Sequence, residues 1–228
     1  MFEKITLSPS GLGDLARCER CFFDGKVLKV AHPRGIFPTL PGGMDRVMKG
    51  FFDSYRGKLP DILKEKVPGV LYEDMANLKR WRMWQTAPQY FDDGLNVVVR
   101  GGIDDMLIDG DVLIPLDVKT KGMEPKTDGS EYYQTQMDCY NLIYQNAGFK
   151  VREEAFLCYV YPNQVMNEGD HMISVAFDTK IFKLDCSIQR AKDIIAKACE
   201  VLRGPRPEFN EKCEYCTFVA LKNSLDKK

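Results

Sequence analysis

Residues 95–122 read LNVVVRGGIDDMLIDGDVLIPLDVKTKG. Three strand-forming runs stand in this stretch, Val97–Val99, Met106–Ile108 and Val112–Val118, and the Asp109-Gly110 pair between the last two is a hairpin signal. Side chains alternate faces along a strand, so Asp117 and Lys119 share one surface while Val118 turns to the core. The turn folds Asp104 back toward that surface. Two carboxylates and an ammonium are then expected to converge on a volume the size of one hydrated metal ion.

Such a trio suits hydrolysis of a phosphodiester, which needs a water made nucleophilic near neutral pH and positive charge beside the developing phosphorane. Carboxylates holding Mg2+ or Mn2+ meet the first need, and the ion with a nearby lysine meets the second. The backbone carbonyl of Val118 would add a hard oxygen ligand. An acid two residues before a lysine is not informative by itself, because Asp24/Lys26, Glu124/Lys126, Asp178/Lys180 and Asp226/Lys228 have the same spacing. Only Asp117/Lys119 sits inside an apolar strand joined by a turn to a second strand with its own Asp.

Glycine, aspartate, lysine and glutamine recur in an order that carries a resemblance. Gly101-Gly102-Ile103-Asp104, Leu116-Asp117-Val118-Lys119-Thr120 and Gln136-Met137-Asp138-Cys139-Tyr140 resemble the GxxD, DxK and QxxxY motifs of the RecB-like branch of the PD-(D/E)XK nucleases. Within that branch the chain is similar to the CRISPR-associated iron–sulfur exonucleases over most of its length. The likeness implies a restriction-endonuclease-like mixed β-sheet core flanked by helices, an α/β (α+β) fold. It also implies metal binding by Asp104 and Asp117, water positioning or transition-state stabilisation by Lys119, and contacts to DNA or the site from Gln136 and Tyr140. Relatives usually carry a further ligand, often His, on an upstream helix, and no histidine occupies such a place here.

The 228 residues are 44% hydrophobic and 29% charged, which suits one domain spanning 1–228 with modest appendages. No apolar run approaches the 18 or so residues that span a bilayer. The N-terminus MFEKITLSPS has neither a basic leader nor an apolar signal core, so the expectation is a cytoplasmic protein with no membrane association. A formal net charge of −1 does not advertise nucleic-acid binding, and any DNA contact must come from local basic patches and bound cations.

Ser8-Pro-Ser10 starts a predicted helix over 8–24, with Leu12, Leu15 and Phe22 on its apolar face and Cys18 and Cys21 one turn apart on it or at its end. Pro205-Arg-Pro207 ends another helix and introduces Cys213-Glu-Tyr-Cys216. In an intracellular chain two CxxC pairs bind a metal more often than they form strained three-residue disulfide loops. A four-thiolate site built from Cys18, Cys21, Cys213 and Cys216 would clasp the N-terminal helix to segment 205–220. Thiolate spacing does not separate zinc from iron–sulfur. The likeness favours a [4Fe-4S] cluster, with Zn2+ as the alternative, but its members have one N-terminal and three C-terminal cysteines. Here Leu221 and Lys222 stand where the last would be, and Cys21 is extra. Cys139, Cys158, Cys186 and Cys199 read as buried small hydrophobes.

Residues 37–43 read as loop, and residues 44–57 as a helix with an apolar stripe of Val47, Met48, Phe51, Phe52 and Tyr55. On its other side Asp45, Lys49, Asp53 and Arg56 form either a solvated ion-paired face or a site edge in which Asp45 supplies the missing upstream ligand. Residues 59–68 are predicted as a short helical stretch. Residues 73–86 are predicted as a helix with Trp81 and Trp84 on one face beside Lys79, Arg80 and Arg82, an arrangement read as core or as a stacking surface for single strands. A helix over 132–147 puts Gln136 and Tyr140 on one face, with Gly148 ending it. Strands at 154–161 and 172–177 flank a turn at 162–169, and a last helix covers 188–202. The sequence thus points to a metal-dependent deoxyribonuclease, an exonuclease on single strands or free ends, with protein partners in DNA processing or recombination. The alternative is a non-catalytic DNA-binding or scaffolding protein of the same fold.

Overall fold

A computed structural model of the chain describes residues 3–33, 39–169 and 172–225. In chain order its elements are β1 (Ile5–Leu7), α1 (Pro9–Arg17), α2 (Glu19–Lys26), α3 (Thr39–Asp53), β2 (Val70–Leu71), α4 (Met75–Trp81), β3 (Gln89–Asp92), β4 (Val97–Arg100) and β5 (Asp105–Asp109). They continue with β6 (Val112–Thr120), α5 (Ser130–Asn146), β7 (Lys150–Val151), β8 (Glu154–Gly169), β9 (Met172–Asp185), α6 (Ile188–Arg203) and α7 (Glu214–Leu225). The main sheet runs β2-β5-β6-β8-β9, with β7 also pairing β6. Its centre is mixed: β5 and β6 are antiparallel, β6 and β8 parallel. A second sheet, β1-β4-β3, leads directly into β5.

The hairpin expected from Asp109-Gly110 is present, with Asp109 paired to Val112 and Gly110 at φ 64°, a conformation that a side chain would strain. Alternation on β6 splits the interior into two cores. Leu113 joins the larger one, beneath α1, α5 and α6, with Met106, Leu157 and Tyr159. Ile114, Leu116 and Val118 join the smaller one with Phe52 of α3, Leu63 and Cys158. Because both faces of the sheet are covered, the central strands are near-continuously apolar. This mixed sheet flanked by helices matches the expected fold class.

Several sequence expectations are corrected. The helix predicted over 8–24 is two helices, broken at Cys18, whose extended backbone and sulfur cap α2. Helix α3 begins at Thr39 rather than Met44, residues 37 and 38 of the expected loop lie outside the described residues, and Val47 is exposed instead of belonging to the apolar stripe. Residues 59–68 form successive turns around Pro60 and Leu63, not a helix. Helix α4 stops at Trp81. Trp81 is buried against Tyr72, Tyr144 and Phe149, whereas Trp84 lies in the following turn and is exposed, so the two indoles do not share a face. The predicted turn at 162–169 is strand, with Pro162 tolerated at a register shift of the β8–β9 ladder where no regular bond is demanded of it. The short β1, β2 and β3 escaped the sequence reading, since two to four residues give periodicity too little length. Cys139, Cys158, Cys186 and Cys199 are buried, as expected.

Candidate active site and cysteine clasp

Asp117 and Lys119 lie on the half of β6 that has passed beyond its last pairing with β5, at Asp105–Leu116. Asp104, one residue before β5, therefore stands across from Asp117, and the two carboxyl groups are within interaction distance. Asp117 is almost wholly buried. Burial pushes its carboxyl up to about 7, the neighbouring Asp104 charge pushes the same way, and Lys119 opposes both. Nζ of Lys119 is 2.6 Å from Oδ2 of Asp117, and that oxygen receives no hydrogen bond of proper angle. The ammonium also lies 4.6 Å from the ring centre of Tyr133. A buried carboxylate with an unsatisfied oxygen beside a second carboxylate is a donor set that suits a hard divalent cation.

Asp45 reaches this cluster indirectly. Nζ of Lys49 is 2.9 Å from Asp45 and 3.1 Å from Asp104, so an ammonium bridges the two acids. Among the described residues the three acids do not form a group with ligand atoms all within 4.8 Å, a distance met only by the four cysteines of the termini. The wholly solvated reading of the Asp45, Lys49, Asp53, Arg56 face does not hold. Its first half edges the site, and its second half is half-buried in ion pairs. Val118 turns its side chain into the smaller core, opposite Asp117.

Beneath Asp104 lies a network that sequence reasoning missed. Arg56 donates to both oxygens of Asp105, each at 2.6 Å, and to Asp53. Arg82 donates to both oxygens of Asp53 at 2.9 Å, and its Nε donates to the backbone carbonyl of Asp104 at 2.9 Å. Asp105 is 1% exposed, so these two guanidinium groups are what make its charge tolerable. The same bonds fix the backbone that presents Asp104. Only the doubled Asp104-Asp105, which must point to opposite faces of a strand, hinted at a second charge partner.

Gln136 and Tyr140 share a face of α5 as expected. Gln136 donates to the Tyr140 hydroxyl at 2.9 Å, which donates to the carbonyl of Gly102 at 2.6 Å. Tyr140 is buried, and both site carboxylates help to hold its hydroxyl in the protonated form, after burial itself. Gly102 has no room for a side chain: a Cβ would come within 2.4 Å of the Arg82 carbonyl oxygen. The pair thus braces the segment that delivers Asp104.

At the termini, Cys18 faces Cys216 with sulfurs 3.8 Å apart, and Cys21 lies 3.6 Å from Cys213 and 3.7 Å from Cys216. Burial raises the Cys18 and Cys21 thiols, so their thiolates need a cation. Four sulfurs about 2.3 Å from one tetrahedral ion stand about 3.8 Å apart. The three spacings are near that value, and all four sulfurs lie within 4.8 Å of one another, a group that could hold a metal. Arg206 reinforces the clasp with two 2.7 Å bonds to Asp24, and Arg20 donates to the Pro207 carbonyl at 2.6 Å. Tyr215, between the two C-terminal cysteines, stacks on His32 at 3.6 Å.

No helix among the described residues is long and apolar enough to cross a membrane. No curated protein matches the chain. A solved structure described as "Crystal structure of SSO0001" is similar with a TM-score of 0.44 and 16% identity over 97% of this chain and 87% of that one, a likeness too distant to bear on function. The family model of the PD-(D/E)XK nuclease superfamily matches residues 43–221, a span that holds every residue of the carboxylate site and both C-terminal cysteines. The chain belongs to the PD-(D/E)XK nuclease superfamily.

Proposed function

We propose that this protein is a metal-dependent deoxyribonuclease of the RecB-like branch, acting as an exonuclease on single strands or free ends. The observation that carries the reading is the Asp104–Asp117 pair, one member buried with an oxygen lacking a hydrogen bond, beside the Lys119 ammonium. Asp104 and Asp117 would hold Mg2+ or Mn2+, with Asp45 joining once Lys49 swings away and the Val118 carbonyl as a further oxygen. Such an ion supplies Lewis acidity and a water that is nucleophilic near neutral pH. Lys119, kept charged by Asp117 and Asp104 against the cost of its burial, sets a positive group beside the phosphate oxygens where charge accumulates. Gln136 and Tyr140 hold the Gly102 carbonyl and with it the approach of Asp104.

The termini would be joined by a single zinc ion on Cys18, Cys21, Cys213 and Cys216, in place of the iron–sulfur cluster that the family likeness favours. The sulfur spacing supports this choice. Aerobically purified protein is expected to be colourless, with one zinc per chain; a brown protein absorbing near roughly 400 nm would reinstate the cluster.

Incubation of the purified protein with end-labelled single-stranded DNA, with Mn2+ or with EDTA, tests the activity. Metal-dependent release of label, with circular single strands resistant, is the expected result. The Lys49 bridge between Asp45 and Asp104 favours a second reading, a DNA-binding scaffold in which lysine permanently replaces the ion. Binding without any metal-dependent degradation would establish that reading and remove the first.

A further inference from the structure

The β1-β4-β3 sheet has one face in the larger core, through Leu7, Val97, Val99 and Tyr90. Registers Thr6–Val98, Val98–Phe91 and Arg100–Gln89 place the alternate residues together on its other face, and Lys4 precedes Thr6 by one strand repeat. Two large aromatic groups stand exposed beside these strands, Phe91 at 51% and Trp84 at 48%. Each has a cation over its ring: Lys4 is 5.0 Å from the Phe91 centre, and Arg100 is 4.5 Å from that of Trp84. The nearest strand acid, Asp92, is engaged by the Tyr90 hydroxyl and the Leu95 amide.

A groove of about 490 Å³ leads from this face inward. Thr6, Lys26, Trp84, Arg100, Gln136 and Tyr140 line it. Tyr140 and Gly102, joined by a hydrogen bond, are among its lining residues, and Gly102 is two residues from Asp104. An aromatic plane with a guanidinium against it, beside a groove lined by Lys26 and Arg100 that includes Gly102, two residues before Asp104, matches the chemistry of an unpaired strand. Bases stack on the rings, phosphates meet the cations, and the backbone runs on to the acids. Duplex DNA keeps its base faces stacked internally and cannot use the rings in this way. With a net charge of −1 for the chain, affinity has to come from such a local surface.

We infer that the outer face of β1-β4-β3, with Trp84, Phe91 and Arg100 at its centre, binds single-stranded DNA and feeds it along the groove to the Asp104–Asp117 site. This rests on the nuclease reading for the direction of feeding, but the binding surface can be tested without cleavage. Binding of fluorescein-labelled oligo-dT and of a blunt hairpin duplex is measured by anisotropy in EDTA, for wild type, W84A/F91A and W84F. Both aromatic side chains are exposed, so the double variant should keep the wild-type melting temperature. Expected are tighter binding of the single strand than of the duplex, a loss of about tenfold or more in W84A/F91A, and near-recovery in W84F. Oligo-dT should also quench tryptophan fluorescence in the wild type but not in W84F, because the remaining indole, Trp81, is buried. Unchanged single-strand affinity in W84A/F91A, or preference for the duplex, overturns the inference. A wild type that binds in this pattern without cleaving overturns only the nuclease reading.

Discussion

Asp104 and Asp105 are neighbours in the chain, but the strand sends them to opposite faces and to opposite electrostatic fates. Asp105 is buried and satisfied: both its oxygens accept bonds from guanidinium groups that are themselves shared with Asp53. Asp104 faces a second carboxyl, that of Asp117, which is buried without such provision. One cluster of acids is closed by arginines whose charge cannot be removed. The other is closed by the ammonium groups of Lys49 and Lys119, which are mobile on long stems and can give way to an ion or a phosphate. A structural pair and the proposed metal-binding pair are thus built from consecutive residues, the first holding the backbone of the second through Arg82.

The largest effect that separates the two clusters is on turnover. Asp117→Ala or Lys119→Ala should lower Mn2+-dependent cleavage by at least about 10²–10³-fold, with the far-ultraviolet circular dichroism spectrum and melting cooperativity of the wild type. Full activity in either purified variant would remove the site. Asp105→Ala should do the reverse in kind. It strands two buried guanidinium groups and should cost about 3–5 kcal/mol of stability, read by denaturant titration. Any cleavage lost would follow from unfolding and from a loosened Asp104. A variant as stable as wild type would show that the arginine network is not what holds this end of the sheet.

The working cluster should also reveal itself through strain. In the unfolded chain Asp117 ionises near pH 4, but in the folded protein it keeps its proton up to about 7. Between those values the unfolded state gives up a proton that the folded state retains, so stability of the metal-free protein should fall as pH rises from about 4 to about 7 and then level off. Asp117→Asn has no such limb. In EDTA at pH 8 it should therefore be more stable than wild type by about 2–4 kcal/mol, a rise of several degrees in melting temperature. Mn2+ should narrow the gap by stabilising the wild type alone. Equal melting temperatures in EDTA would mean that Asp117 is not held under electrostatic cost.

The contrast explains what could be read from sequence. The hairpin, the Asp117/Lys119 face and the Gln136–Tyr140 pair follow from period-two and period-3.6 alternation around a turn that admits few alternatives, with Gly110 at positive φ. The arginine network was illegible because Arg56, Arg82 and Asp105 are brought together from separate segments, and a charged residue just past a helix end looks solvated until tertiary packing covers it. The indoles failed for a related reason. Trp81 and Trp84 share a face only if α4 continues, and it stops at Trp81. The break at Cys18 was hidden likewise, since a cysteine rarely serves as an N-cap, and here its sulfur does so. The two CxxC pairs were legible as partners, while their nearness to one-ion spacing depends on where two helices from opposite ends of the chain meet.

The smallest effect concerns that meeting point, whose outer bond resembles the arginine network without its burial. Arg206 holds the Asp24 carboxyl below the usual carboxylate range, chiefly through its paired hydrogen bonds. A lowered folded pKa gives stability that is present above the unfolded value near pH 4 and lost as pH falls through the folded value. Arg206 is about half exposed, so solvent screens the pair and its contribution is small. Arg206→Ala should therefore lower stability slightly at neutral pH and flatten the acid limb, the difference from wild type vanishing once the pH is below the folded value. With the clasp's ion removed by a chelator, the same substitution should cost more, because the bond is then one of the few links left between α2 and the C-terminal segment. Equal costs with and without the chelator would show that the thiolates and the Asp24–Arg206 bond stabilise the termini independently.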